Sequence, residues 1–285
     1  LAAQPIVRES YNQPKLTFDT NLGGTVNVLE CLRKSSSVEA AVIITSDKCY
    51  DNVGWDWGYR ETDRLGGPDP YSASKACAEI AFKAYFESFF NNHQGRTPWV
   101  ATTRAGNVIG GGDWASDRVV PDCVRAWKEA KKAVIRKPHA TRPWMHVLEP
   151  LSGYLWLGAS LLKKGRGLNG EAFNFGPDQE IVKSVSELVE LFSKLWGKSQ
   201  WKYIPSEGPK KEASLLKLSC DKALRRLGWR SLLSFEETVE LTADWYRNYY
   251  NGHKDIYQFT SQQIARYFQK AREQQIVWAK NVRER

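Results

Sequence analysis

Five residues in the first third of this chain could surround one substrate: Ser46, Asp47, Lys48, Tyr71 and Lys75. Tyr71 and Lys75 stand four residues apart and share one face of any helix they occupy. A tyrosine hydroxyl titrates near pH ~10, but a cation one turn away stabilises the phenolate and lets it act as a base. Lys75 supplies that cation. The phenolate can then take a proton from a substrate hydroxyl while hydride leaves the same carbon. Ser46 could hydrogen-bond that hydroxyl and orient it. Taken singly, a Tyr-Lys pair is most often exposed and a serine at a strand end most often forms a turn. The chemistry is carried by the order: strand, Ser46, loop, then Tyr71-x-x-x-Lys75 opening a helix.

The elements that must hold these residues are legible on either side. Ala40–Ile44 is a short apolar run bounded by polar residues, the pattern of a strand buried on both faces. Ligands of open α/β sheets lie beyond the carboxyl ends of such strands, where Ser46, Asp47 and Lys48 fall. The spacing of Phe18, Leu22, Val26, Leu29 and Leu32 predicts a helix over Thr17–Lys34. A long Trp- and Gly-rich loop spans Asp51 to Pro70, and its length marks it as functional. Helices are predicted at Tyr71–Phe90, Val119–Lys132 and Leu148–Lys163, and strands at Val100–Arg104, Ala133–Ile135 and Ala172–Phe175. From Ser184 onward amphipathic helices dominate, and Ser184 with Glu187 fits a capping box. Strands alternating with helices predict a doubly wound parallel α/β sheet, with a smaller C-terminal lobe. Residues 1–108 and 147–176 are assigned to the sheet domain, and 109–146 and 177–285 to the lobe.

Composition narrows the function. The chain has 285 residues, 42% hydrophobic and 26% charged, which is ordinary for a globular protein. Its net charge of +9 is not gathered into one block, so nucleic acid is not the expected partner. A basic, non-catalytic scaffold that binds RNA or protein stands as the alternative of a different class. Five cysteines without a CxxC spacing argue against a disulfide framework and a zinc site, and point to a reducing, cytoplasmic setting. His139 and His146 lack acidic or cysteine partners at metal spacing, so no metal is expected. The most apolar stretch, Leu148–Leu162, falls short of the ~20 residues that span a bilayer, and no membrane association is expected. No G-x-G-x-x-G is present, and Leu1–Pro5 reads as the tail of a strand plus a turn. The expectation is therefore a Rossmann-like fold that lacks its N-terminal part.

The motifs together resemble the extended short-chain dehydrogenase/reductases. Asn21-x-x-Gly24-Thr25, Arg104-x-x-Asn107-Val108-x-Gly110 and Asn174-x-Gly176 accompany the Ser, Tyr and Lys in the family's order, over nearly the whole chain. Asp47-Lys48 directly after the serine is similar to the acid and base of the sugar-nucleotide 4,6-dehydratases. Eliminating water beside a 4-keto group needs a base for the C5 proton and an acid for the departing hydroxyl. The resemblance implies Lys48 as that base and Asp47 as that acid. Thr45–Asn52, Arg104–Trp114, Arg142–Trp144 and His146–Leu151 are matching stretches that imply CDP-D-glucose as the substrate, with Met145 departing from the expected Gln. A UDP-N-acetylglucosamine-type dehydratase is the alternative. The resemblance further implies NAD as a resident cofactor, touched by Leu1, Ala2, Ala3, Tyr71 and Lys75. It implies substrate contacts from Asn107, Val134, Ile135 and Arg142, with Arg142 on the diphosphate, where a guanidinium fork suits phosphate oxygens. It also implies a homodimer, paired through Thr17–Lys34 and Tyr71–Phe90.

Overall fold

The computed structural model describes every residue except 1, 92–96, 179–181, 198, 206–215, 253–254 and 281–285. Along the chain the strands are β1 (Ala40–Ile44), β2 (Trp99–Arg104), β3 (Val108–Ile109), β4 (Ala133–Ile135), β5 (Thr141–Arg142), β6 (Met145–His146), β7 (Ala172–Asn174), β8 (Lys183–Ser184) and β9 (Trp201–Tyr203). The α-helices are α1 (Val7–Asn12), α2 (Pro14–Phe18), α3 (Gly24–Lys34), α4 (Pro70–Tyr85), α5 (Val119–Lys128), α6 (Leu148–Lys164), α7 (Val185–Trp196), α8 (Asp221–Leu227), α9 (Phe235–Tyr250) and α10 (Ile256–Glu273).

The chain forms two compact units, Leu1–Gly106 with Leu151–Phe175 and Leu218–Leu227, and Asn107–Pro150 with Gly176–Lys217 and Gly228–Arg285. The first is built on a parallel sheet in the order β1-β2-β7. Successive strand residues face opposite ways, and both faces of this sheet are covered. Ile43 packs with Leu29 and Leu32 of α3 and Phe82 of α4. Its neighbour Val42 lies against Gly158 of α6. Helices on both sides of a parallel sheet are the doubly wound arrangement expected from the alternation of elements.

The second unit is comparable in length to the first rather than smaller, because α9, α10 and the strands β3 to β6, β8 and β9 fold into it. Its core gathers Val124 and Trp127 of α5, Ile135 of β4, Phe192 of α7, and Val239 and Tyr246 of α9. Its strands form three separate pairs: β3 with β6 and β4 with β9 in parallel, β5 with β8 antiparallel. Capping boxes at Ser184/Glu187 and Ser234/Glu237 start α7 and α9. Leu218–Leu227 joins the first unit, not the C-terminal lobe as expected. The cause is hydrogen bonding: Ser219 N donates to Tyr59 O (2.9 Å) and Trp156 Nε1 to Leu227 O (2.7 Å).

Two predicted helices are remodelled. Over Thr17–Lys34 the helical backbone is unbroken, but a π-helical turn at Asp19–Gly23 separates α2 from α3 and turns Asn21 inward. The helix predicted to reach Lys132 stops at Lys128, because Ala130 is left-handed (φ 54°) and Lys131 N closes on Ala126 O at 2.9 Å.

Candidate active site

At the carboxyl end of β1 the chain turns sharply. Ser46 is extended, and Asp47–Cys49 form a single 3₁₀ turn. The Ser46 hydroxyl accepts from Lys48 N (3.2 Å) and donates to Asp47 Oδ1 (2.9 Å), so the serine caps the turn and orients its acid. Asp47 N donates to Ala105 O (3.1 Å), which fixes the turn to the end of β2. The carboxyl group is 2% exposed and seated on Gly106, where a Cβ would stand 2.0 Å from Oδ2. Gly106 is therefore required by close approach rather than by its backbone angles. Lys48 is half-buried.

The turn packs directly on α4. Asp69 caps this helix by accepting from Ser72 N (2.9 Å) and the Ser72 hydroxyl (2.7 Å), and Pro70 occupies its first position. Tyr71, Lys75 and Glu79 follow at four-residue intervals, all buried. Burial pushes the Lys75 ammonium below the ordinary lysine range, while Cys49 and Glu79 work in the opposite direction. The helix predicted to run to Phe90 ends its α-helical part at Tyr85 and finishes in a π turn, Phe86–Phe90.

Asn21 explains its place in the sequence motif. Its side chain donates to the Ser74 hydroxyl (2.9 Å) and to Gln4 O (3.1 Å), and accepts from Gln4 N (2.8 Å). Ser74 in turn donates to Tyr71 O (2.7 Å). The segment that includes Ala2 and Ala3 is thereby stapled beside the first turn of α4. Ala2 is exposed and Ala3 half-buried, and Leu1 lies outside the described residues.

Behind the turn runs a buried polar chain that links the motif residues Arg104 and Asn174 to Glu79, a residue outside those motifs. Glu79 accepts from Arg104 (2.8 Å), from the Thr102 hydroxyl (3.0 Å) and from the Thr45 hydroxyl. Burial opposes the charge on Arg104, but Glu79 outweighs it and holds the guanidinium firmly protonated. Arg104 also donates to the Tyr50 hydroxyl (2.8 Å) and Glu61 O (3.0 Å). Tyr50 donates to Asn174 Oδ1 (2.7 Å), and Asn174 donates to Tyr59 O and Ser219 O. The signal was available: Glu79 continues the spacing of Tyr71 and Lys75 by one more turn.

The long loop is ordered by the same chain. Arg104 lies over the Tyr50 ring (4.9 Å), Tyr50 stacks on Tyr59 (5.3 Å), and Tyr59 stacks on Trp55 (5.3 Å). Gly66 N returns to Cys49 O at 2.8 Å and closes the excursion.

The remaining sequence-predicted residues lie in the second unit. Asn107 is left-handed (φ 53°), and its buried Nδ2 has no protein partner. Arg142, half-buried on β5, donates to Thr141 O (2.7 Å). Val134 and Ile135 do not line one surface together, because strand alternation turns them to opposite faces. Ile135 is 4% exposed within the core, while Val134 is open and borders a depression of about 260 Å³ with Arg125, Lys132 and Arg136. His146 is 3% exposed. Its Nδ1 accepts from Leu148 N (3.3 Å), which places the proton of the neutral ring on Nε2, and burial pulls its pKa to about 4. Among the described residues no cluster of His, Cys, Asp and Glu could hold a metal, and no helix is long and apolar enough to cross a membrane.

Residues 1–242 match the family described as GDP-mannose 4,6 dehydratase. A CDP-glucose 4,6-dehydratase of Salmonella typhimurium is 45% identical over 254 residues, covering 88% of this chain and 70% of that protein. The dTDP-D-glucose 4,6-dehydratase of Homo sapiens is 25% identical over 83% of this chain, which spans 64% of that protein's length. Among solved structures, a dTDP-glucose 4,6-dehydratase of Bacillus anthracis in complex with NAD has a TM-score of 0.68 at 26% identity, over 81% of this chain and 69% of that one. The Streptomyces venezuelae DesIV structure, at 23% identity, shares the fold with a TM-score of 0.73 over 87% of this chain and 72% of that one.

Proposed function

The chain belongs to the GDP-mannose 4,6-dehydratase family, and from that premise we propose that it dehydrates CDP-D-glucose to CDP-4-dehydro-6-deoxy-D-glucose with NAD as a resident cofactor. One observation carries the reading. The turn bearing Ser46, Asp47 and Lys48 packs on the helix bearing Tyr71 and Lys75, so redox and elimination groups share one strand end.

The residues present fit the nicotinamide end of NAD: Tyr71 and Lys75 on α4, with the Ala2–Ala3 segment stapled beside them through Asn21. When bound, NAD supplies the acceptor and later the donor of one hydride. Tyr71 takes the proton of the C4 hydroxyl, its phenolate favoured by the Lys75 ammonium. Ser46 holds that hydroxyl in line. Once C4 is a ketone, Lys48 takes the C5 proton and Asp47 gives a proton to the departing C6 hydroxyl.

For the nucleotide, the reading assigns Arg142 to the diphosphate and Asn107 to the sugar-nucleotide backbone. Val134, in its basic depression, is the remaining candidate for a base-pocket wall. The 45% identity to a CDP-glucose enzyme favours cytidine over uridine. A homodimer through Thr17–Lys34 and Tyr71–Phe90, and a cytoplasmic setting, complete the proposal. The test is incubation of the intact enzyme with CDP-glucose or UDP-N-acetylglucosamine while following 4-keto product. Faster turnover of the CDP sugar is expected, and preference for the UDP sugar would overturn the substrate assignment.

A further inference from the structure

We propose that the buried Glu79–Arg104 pair is a positioning device for this reaction, fixing α4, and with it Tyr71 and Lys75, against the strand end that carries Ser46, Asp47 and Lys48. The proposal rests on the functional reading above and adds two residues to it that touch no reacting atom.

Stability alone does not account for the pair. Desolvating two charges costs several kcal/mol per ion, and packed apolar residues of similar volume hold a fold together as well or better. Here the pair is not even fully satisfied, since Arg104 Nε is buried without a partner. What an ion pair provides and an apolar pair does not is direction. The Glu79 carboxylate accepts from three donors: Thr45, just past the end of β1 and directly before Ser46, and Thr102 and Arg104 of β2. Each bond has a preferred line, so together they set both the rotation of α4 about its axis and its height along β1 and β2. Tyr71, Lys75 and Glu79 lie on one slowly drifting stripe of the helix, so gripping Glu79 aims the other two.

The far side of Arg104 grips the catalytic turn from its other end. Its second nitrogen donates to the hydroxyl of Tyr50, the residue directly after Asp47–Cys49. The turn is thus bracketed: Thr45 before it and Tyr50 after it both reach the same ion pair, whose carboxylate belongs to α4. Through Tyr50 the chain continues to Asn174 and the loop backbone at Tyr59. All of these contacts lie within the first unit.

The groups facing Lys75 are Cys49 from the turn and Glu79 from its own helix. Asp47 and Arg104 act on Cys49 in turn. Glu79 is the carboxylate among those two neighbours, and it favours the charged state of Lys75 on which the Tyr71 phenolate depends.

Two variants of the intact, NAD-loaded enzyme test the proposal. Glu79→Gln keeps size and removes the charge. Glu79→Leu with Arg104→Leu removes both charges and strands neither, so it guards against simple loss of folding. For Glu79→Gln we expect kcat to fall at least about tenfold, with KM for the sugar nucleotide within about threefold. Competitive acylation of Lys75 across pH, read by mass spectrometry, should show its midpoint moved to lower pH. The double variant should melt close to the parent yet keep the tenfold or greater loss in kcat. Near-parental kcat in the double variant, or an unmoved Lys75 midpoint in Glu79→Gln, would overturn the proposal. A parent enzyme that turns over no sugar nucleotide would instead overturn the functional reading. The acylation comparison then decides the geometry alone, a moved midpoint supporting it and an unmoved one refuting it.

Discussion

At the scale of single residues, the roles proposed for Tyr71 and Lys48 can be tested separately. Tyr71→Phe removes the group proposed to take the C4 proton and should abolish even the first half-reaction, so no NADH absorbance should appear on mixing with substrate. Lys48→Ala leaves Ser46, Tyr71 and Lys75 in place, and should build up NADH while releasing dehydrated product only slowly. General base catalysis contributes on the order of 10²–10⁴-fold, so the loss in steady-state turnover should fall in that range. Normal turnover by Lys48→Ala would remove it as the base. Asn107 and His146 show what a sequence does not disclose at this scale. Asn107 was a motif residue, but its left-handed backbone and unpartnered amide belong to the fold. His146 was legible only as a poor metal ligand, and its single acceptor bond and deep burial emerge from the β3–β6 pairing.

At the scale of elements, the strand end, the turn and α4 form one mechanical part. Gly106 is its test, because a methyl group there must displace the Asp47 carboxyl. Gly106→Ala should lower turnover about 10²-fold, the effect of moving a reacting group by an ångström. Gly167→Ala, at a position with open space around it, should be near parental in a parallel assay. The strand β1 and helix α4 were legible because each carries a strong local signal: an apolar β-branched run in one, Asp69-Pro70 and alanines in the other. The π turn at Asp19–Gly23 was not, because its cause is remote: Asn21 turns inward to bond Gln4 and Ser74, 17 and 53 residues away. The burial of Ile135 was not legible for the same reason. The alternation of β4 was readable, but the core it faces is assembled from α5, α7 and α9. The two-residue strands are too short to leave a period in the sequence.

At the scale of the whole molecule, burial of His146 makes stability depend on pH. Its pKa is about 4 in the fold against 6.5 when exposed, so below pH 6.5 the unfolded chain takes up a proton that the native one refuses. Stability from this group is complete above pH 6.5 and is lost as pH falls toward 4, by about 3 kcal/mol in all. Glu149, whose carboxyl burial pushes up, acts with the opposite sign, so comparison with a variant isolates the histidine. The melting temperature of the parent should fall more steeply between pH 6.5 and 4.5 than that of His146→Gln, and parallel curves would refute the assignment. The central claim is that one centre oxidises C4, eliminates water and returns the same hydride to C6. It is tested most directly by giving the intact enzyme CDP-glucose carrying deuterium at C4 and locating the label in the product by mass spectrometry and NMR. The account predicts deuterium at C6 of a 4-keto-6-deoxy sugar. Deuterium retained at C4, or lost to solvent, would contradict it.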